Sequence, residues 1–404
     1  MKKNGGVTLI VVLMAAIGIG AFFGLHAGEK TMKTVVAIRG LLAQIIFFTI
    51  PLVIFGFIAP AITSLKEKAS AMLGTMLTMA YLSAVGAAAF AAIAGYSIIP
   101  HLDIPTQIEG LKVLPKAIFS IDIPPIMPVM TALVLAILTG VATIWGDAKN
   151  IEKILYEFQS MVLSIVKKIV IPLLPFFVAA TFAQMAYTGR LTQQFPVFFK
   201  VILIVLLGHF IWLFFLYALS GMVSRKNPWE VVKHYGPVYL TAVGTMSSAA
   251  TLPVTLSCAR KSKVLPQEVT DFAIPLGSTV HLCGSVLTET FFCMTISKML
   301  YGTMPTPETL ILFIFLFGIF AVGAPGVPGG TVMASLAIVQ SVLGFDADGV
   351  GLLLGIFALQ DSFGTACNIL GDGALALMLR GLFYDSDGNA KKKKMKNEEL
   401  APSA

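Results

Sequence analysis

Apolar runs recur along this chain with short polar breaks, each long enough to carry a helix across about 30 Å of hydrocarbon. Uninterrupted runs fall at 6–26, 39–64, 72–97, 125–146, 157–187 and 197–223. Basic clusters follow the second, fourth and sixth of these: Lys66/Lys68, Lys149/Lys153 and Arg225/Lys226/Lys233. With Lys2 and Lys3 ahead of the first run, all of them lie on one side of a membrane, as the positive-inside rule asks of the cytoplasm. Lys167/Lys168 interrupt the fifth run and predict a tilted or bent start near that interface, where lysines snorkel. The first run begins like a signal peptide but is long and lacks a small-x-small cleavage site, so the pattern predicts a retained helix.

After residue 228 the plain pattern stops. Residues 237–256 are moderately apolar and carry Thr241, Gly244, Thr245, Ser247, Ser248, Thr251 and Pro253, with Lys233 before them and Arg260, Lys261 and Lys263 after. Basic flanks at both ends predict a segment that enters the membrane and returns. Residues 308–343 repeat the design, with apolar arms around Gly323-Ala-Pro-Gly-Val-Pro-Gly-Gly330. No helix passes unbroken through Pro325, Pro328 and four glycines. Non-helical backbone at membrane depth survives only where protein buries it or it lines a cavity, so paired interrupted segments point to a transport site. Between them, Pro275-Leu-Gly-Ser-Thr-Val-His-Leu-Cys-Gly284 predicts a helix unwound near 279–284, where freed carbonyls can meet Na⁺.

The last apolar segment, 352–378, holds the strongest chemistry. Asp361, Thr365, Asn368 and Asp372 are spaced i, i+4, i+7 and i+11. At about 100° per residue they share a face roughly 60° wide, the rest being Leu, Ile, Ala and Phe. Two carboxylates inside a membrane segment cost several kcal/mol unless they line a cavity or hold a cation.

Composition narrows the class. The chain has 404 residues, 57% hydrophobic and only 12% charged, and its mean hydropathy is +0.87, too little charge to cover a soluble surface. The fold class is an all-α polytopic membrane protein. The net charge of +7 sits largely in cytoplasmic-looking loops and in a tail carrying Lys391–Lys394 and Lys396, a positive-inside segment against anionic lipid rather than a nucleic-acid surface. Cys258, Cys283, Cys293 and Cys367 lack metal-ligand spacing and read as small hydrophobes with no disulfides.

Three motifs, in order, resemble the dicarboxylate/amino acid:cation symporters, which include glutamate and neutral amino acid transporters. Ser247-Ser-Ala-Ala-Thr-Leu-Pro-Val254 is similar to the serine-rich tip of that family's first re-entrant hairpin, Gly326-Val-Pro-Gly329 to the tip of the second, and Asp361-x3-Thr365-x2-Asn368-x3-Asp372 to the polar face of its final helix. The resemblance implies a homotrimer with eight transmembrane helices and two re-entrant helical hairpins. It implies scaffold helices over 1–70 and 125–190 and transport-domain helices over 71–97 and 196–223. A transport core would span 229–380 and a cytoplasmic basic tail 381–404. The transport domain would slide as an elevator, with the second hairpin as its outer gate. By position, Asp361 would take the substrate ammonium and Asn368 its carboxylate, while Thr365, Gly364, Ser247, Ser248, Ser285 and Val327 would complete the pocket. Asp372, with carbonyls near Gly277, His281 and Asn368, would hold Na⁺. Glu289 falls where proton-carrying members have a Glu, and His281 is a second titratable candidate, so H⁺ is a further candidate coupling ion.

Departures from the family pattern set the expected cargo. Acidic-amino-acid transporters carry an Arg on the last helix where this chain has Gly364, and the hairpin has Met246 where some members supply an Arg. A second substrate carboxylate would lack a cationic partner across 361–379. A small neutral amino acid is therefore expected, with Gly364 leaving room for its side chain. A mono- or dicarboxylate on the same fold is the alternative. His281-Leu-Cys-Gly-Ser285 replaces the family's Asn-Met-Asp-Gly-Thr, so one sodium site is expected to be lost or altered. Enzyme activity is not expected: Asp361 and Asp372 lie about 16 Å apart along one helix and cannot share a proton. The glycines of 323–330 lack the Lys-Ser/Thr of a phosphate loop. Short loops point to a prokaryotic inner membrane with both termini cytoplasmic.

Overall fold

The computed structural model describes residues 5–67, 71–104, 112–324, 326 and 328–384, which are helical over most of their length. α1 (Gly5–His26), α2 (Glu29–Glu67) and α3 (Ala71–Ile98) come first. A non-helical stretch over 112–128 precedes α4 (Val129–Trp145). The run expected from 125 begins later because Pro124, Pro125 and Pro128 each push the preceding residue out of the helical region. Pro128 itself stands in the extended conformation as the cap.

α5 (Lys149–Ile165) continues into α6 (Ile171–Thr188) through a single π-helical stretch, Val166–Val170. Lys167 and Lys168, where a tilted or bent start was expected, lie on this π-helical stretch and are exposed. α5 is amphipathic: Leu155 and Val162 are buried, while Lys149, Lys153 and Glu157 are exposed. α7 (Arg190–Ser224) and the short α8 (Trp229–Val232) lead to two helical hairpins. α9 (Gly236–Thr245) and α10 (Ser248–Ala259) form the first, α13 (Pro307–Gly323) and α14 (Gly330–Ser341) the second. Between them run α11 (Gln267–Val280) and α12 (Cys283–Tyr301), and the chain closes with the 37-residue α15 (Ala347–Phe383). Among the described residues six helical stretches are long and apolar enough to cross a membrane, with shorter apolar helices beside them.

Small residues set the closest contacts. A Cβ on Gly20 or Gly24 of α1 would stand 2.2 or 2.1 Å from the carbonyl oxygens of Ala179 and Ala183 on α6. Hydrogen there lets the two backbones touch, the means by which helices associate where lipid removes the hydrophobic drive. α1 packs on α6, and α2 on α4, α5 and α6. α12 and α15 form a second centre, α12 against α3 and α15, and α15 against α7, α9 and α11. The two sets meet where α15 crosses α6 and α1, and where α13 and α14 touch α2. The four cysteines are free and buried. The basic tail and Val327 lie outside the described residues.

Candidate substrate and cation site

Both hairpin tips are built by their local sequence. α9 ends where Met246 takes a left-handed conformation (φ 51°, ψ 24°), which a side chain adopts only under strain. Ser247 then turns extended and caps α10, its Oγ accepting from Ala250 N at 3.3 Å. The same hydroxyl donates to the carbonyl of Gly326 at 3.0 Å, joining the first tip to the second. Gly326 lies against Ser248 and the carbonyl of Ser278. Gly329 caps α14 at φ 71°, a conformation glycine supplies without penalty. Its N–H donates to Asp361 Oδ2 at 2.8 Å. The carboxylate of Asp361 therefore sits at a helix N-terminus, where backbone amides and the helix dipole favour negative charge.

The polar face of α15 is buried along its length: Asp361, Thr365, Asn368 and Asp372 are each at most 4% exposed. Going down that face, Asp361 meets the second hairpin and Asn368 meets the break between α11 and α12. The break is narrower than expected, only His281 and Leu282 leaving the helix. Asn368 Oδ1 accepts from Gly284 N (2.7 Å) and Ser285 N (3.1 Å), buried first-turn amides of α12, and its Nδ2 donates to Ser285 Oγ (2.9 Å). One turn on, Asp372 Oδ1 lies 3.0 Å from His281 Nδ1, and His281 Nε2 lies 2.9 Å from Ser83 Oγ on α3. Ser83 was not legible in the sequence. It is one hydroxyl among several on an alanine-rich helix, and the pairing spans 198 residues.

Two features fit a hard monovalent cation at Asp372. Its Oδ2 is buried with no hydrogen-bond partner among the described residues. Gly277 faces it so closely that a Cβ there would stand 2.8 Å from the carboxylate. The Gly277 carbonyl accepts from His281 N at 2.9 Å and keeps a second lone pair. Carboxylate and carbonyl oxygens are the ligands hard cations select.

Gly364 departs from expectation. A Cβ built on it would come within 3.3 Å of Ser285 Oγ and 3.4 Å of Ser285 Cα. The room expected beside it is taken by α12, and glycine here serves close helix packing. The seam is tighter still at Gly284, where a Cβ would stand 2.4 Å from Cys367 Cβ. Glu289 is fully buried and its Oε1 is bonded to the hydroxyl of Ser335 on α14. Ser335 Oγ also lies 2.9 Å from Val332 O. Glu289 Oε2 has no partner among the described residues. His209, buried on α7, joins helices through Nε2 contacts to Thr288 Oγ1 (2.8 Å) and Gly284 O (3.1 Å).

Comparison with known proteins identifies the family. The profile of the sodium:dicarboxylate symporter family matches residues 9–382. Excitatory amino acid transporter 1 of Ambystoma tigrinum is 29% identical over 197 residues, covering 49% of this chain and 36% of the relative. Human excitatory amino acid transporter 2 is 30% identical over 158 residues, 39% of this chain and 27% of the relative. Human neutral amino acid transporter B(0) is 29% identical over 206 residues, 51% of this chain and 37% of the relative. The aligned stretches reach only about a third of the length of these curated relatives.

Proposed function

We propose that this chain, which belongs to the sodium:dicarboxylate symporter family, is a secondary active symporter that takes up a small neutral amino acid with Na⁺. The observation that carries the reading is the buried α15 face. Asp361, held by the tip of the second hairpin, would receive an ammonium, and Asn368, oriented by the first amides of α12, would present its remaining Nδ2 hydrogen to a carboxylate. Thr365, Ser285 and the tip residues Ser247, Ser248 and Val327 complete the pocket. Residues 361–379 contain no Lys or Arg, which weighs against a second substrate carboxylate.

Asp372 with the carbonyls of Gly277, His281 and Asn368 forms the sodium site, its free Oδ2 being the main support. Glu289 is the proton-carrier candidate. The single hydrogen of Ser335 can serve Val332 O or Glu289 but not both, and a carboxyl proton on Glu289 would satisfy the pair. The packing of α1, α2, α4, α5 and α6 on one another, and of the remaining long helices around α12 and α15, supports a scaffold and a transport body that move as an elevator. The second hairpin would be the gate, since its tip closes over Asp361. A homotrimer in a prokaryotic inner membrane, with both termini cytoplasmic, completes the reading.

Uptake into proteoliposomes under an imposed Na⁺ gradient tests it. Saturable uptake that serine, alanine or threonine competes, and succinate does not, is the expected result. Competition by succinate alone would remove the ammonium role of Asp361, and gradient-independent flux would remove symport.

A further inference from the structure

Asp346 and Asp348, two residues apart at the start of α15, reach in opposite directions. Asp346 caps the helix, its Oδ1 accepting from Asp348 N (3.1 Å) and Gly349 N (2.9 Å), and it takes the hydroxyl of Tyr301 at the end of α12 (2.9 Å). That contact stays inside the proposed transport body. Asp348 instead pairs with Arg39 of α2 at 2.7 Å, across the seam.

Arg39 belongs to the other side. Its Nε donates to Thr181 Oγ1 (3.1 Å) and its Nη1 to Gln184 Oε1 (3.1 Å), both on α6. The guanidinium also lies 5.6 Å above the ring of Phe177 on the same helix. Three contacts hold it on α6, whereas its ion pair reaches α15. The Arg39 side chain is 9% exposed and that of Asp348 44%, so water can follow the carboxylate if it leaves, while the guanidinium cannot leave with it. Beside the pair the seam is incompletely filled. A cavity of about 30 Å³ is lined by Thr181, Gln184 and Met185 on one side and Leu300, Asp348 and Leu352 on the other. Gln184 Nε2 and Arg39 Nη2 are buried without partners among the described residues.

The geometry points to Arg39 and Asp348 as a releasable latch that holds α15 against α6 in the arrangement described here and must part when the two bodies slide. This rests on the two-body reading above. An ion pair at the edge of water is suited to the task, because its exposed carboxylate is rehydrated on release while the buried guanidinium keeps Thr181, Gln184 and the ring of Phe177 as partners. Buried contacts at Gly351 and Gly355, where a Cβ would stand 2.6 Å from Thr181 Oγ1 and Phe182 Cε2, set the surface along which the helices run.

The test is a cross-linking rate in the reconstituted full-length chain. A Met185→Cys/Leu352→Cys pair faces across the cavity and reports this arrangement through mercury bridging, measured against the parent with its four native cysteines. Asp348→Asn is expected to slow bridging about three- to tenfold. Asp348 also lies in the first turn of α15, where its charge interacts with the helix dipole, so the same change is made with Arg39→Met already present. A latch predicts no further slowing there. An unchanged rate with Asp348→Asn, or an equal fall in the Arg39→Met background, overturns the latch while leaving the transporter intact. A parent rate that no combination of Na⁺ and amino acid alters refutes the moving bodies, and the latch with them.

Discussion

Replacing Asp372 by Asn isolates the charge at the cation site. The side chains match in size, and the Asn carbonyl oxygen can still accept from His281, whose Nδ1 lies 3.0 Å from the present carboxylate. Gly277, at 2.8 Å by its notional Cβ, leaves no room for a larger change. What disappears is the formal charge next to the unpartnered Oδ2. A contact to a charged group contributes about 1.5–3 kcal/mol, against about 1 for a neutral one. The difference, a loss of about 0.5–2 kcal/mol, raises the half-saturating Na⁺ concentration roughly 2- to 30-fold. Because coupling between two ligands is reciprocal, apparent substrate affinity at fixed sub-saturating Na⁺ should fall as well. Sodium titration of initial uptake in proteoliposomes measures the first effect, and substrate titration at two Na⁺ concentrations the second. The melting temperature in choline, without Na⁺ or substrate, controls for damage to the fold. Wild-type sodium activation in a folded Asp372→Asn protein would refute the assignment.

Glu289→Gln keeps a donor for Ser335 but cannot exchange a proton, so the pH dependence that a Glu289 proton gives to uptake should disappear. An unchanged profile leaves Glu289 as a structural partner of Ser335. Gly364→Arg is expected to abolish uptake of neutral amino acids rather than convert the cargo, because its Cβ must first displace Ser285; gain of aspartate or glutamate uptake would show that α12 yields. Gly24→Ala drives a methyl into the carbonyl of Ala183 and should destabilise the protein by about 1–3 kcal/mol, the usual range for overpacking. Thermal unfolding in detergent measures this, and a melting temperature within 1 °C of the parent would contradict the α1–α6 contact.

Features governed by local rules were the legible ones. The i, i+4, i+7, i+11 spacing put Asp361, Thr365, Asn368 and Asp372 on one buried face, as a helix must. Pro325, Pro328 and the surrounding glycines marked a break, and the glycine and hydroxyl cluster of 275–284 marked another. What stayed hidden was decided by packing between distant segments. Ser83 reaches His281 across 198 positions, and Arg39 reaches Thr181 across 142; nothing in a single helix announces such a partner. The crowding at Gly364 was hidden for the same reason, since a missing side chain reads as space until the neighbouring helix is seen beside it. The bulge at Lys167/Lys168 was legible as an irregularity in the charge pattern, but not as an added residue in one turn.

Ligand-dependent thermal stabilisation of the purified chain reads cargo and coupling ion at once. The twenty amino acids and common dicarboxylates would each be added in Na⁺ or in choline. A ligand at 100 times its dissociation constant stabilises the folded state by about 2.7 kcal/mol, which shifts a melting curve measurably. A shift is expected for small neutral amino acids in Na⁺ that vanishes in choline and in Asp361→Asn. A shift that persists in choline, or one confined to dicarboxylates, would contradict the proposed function.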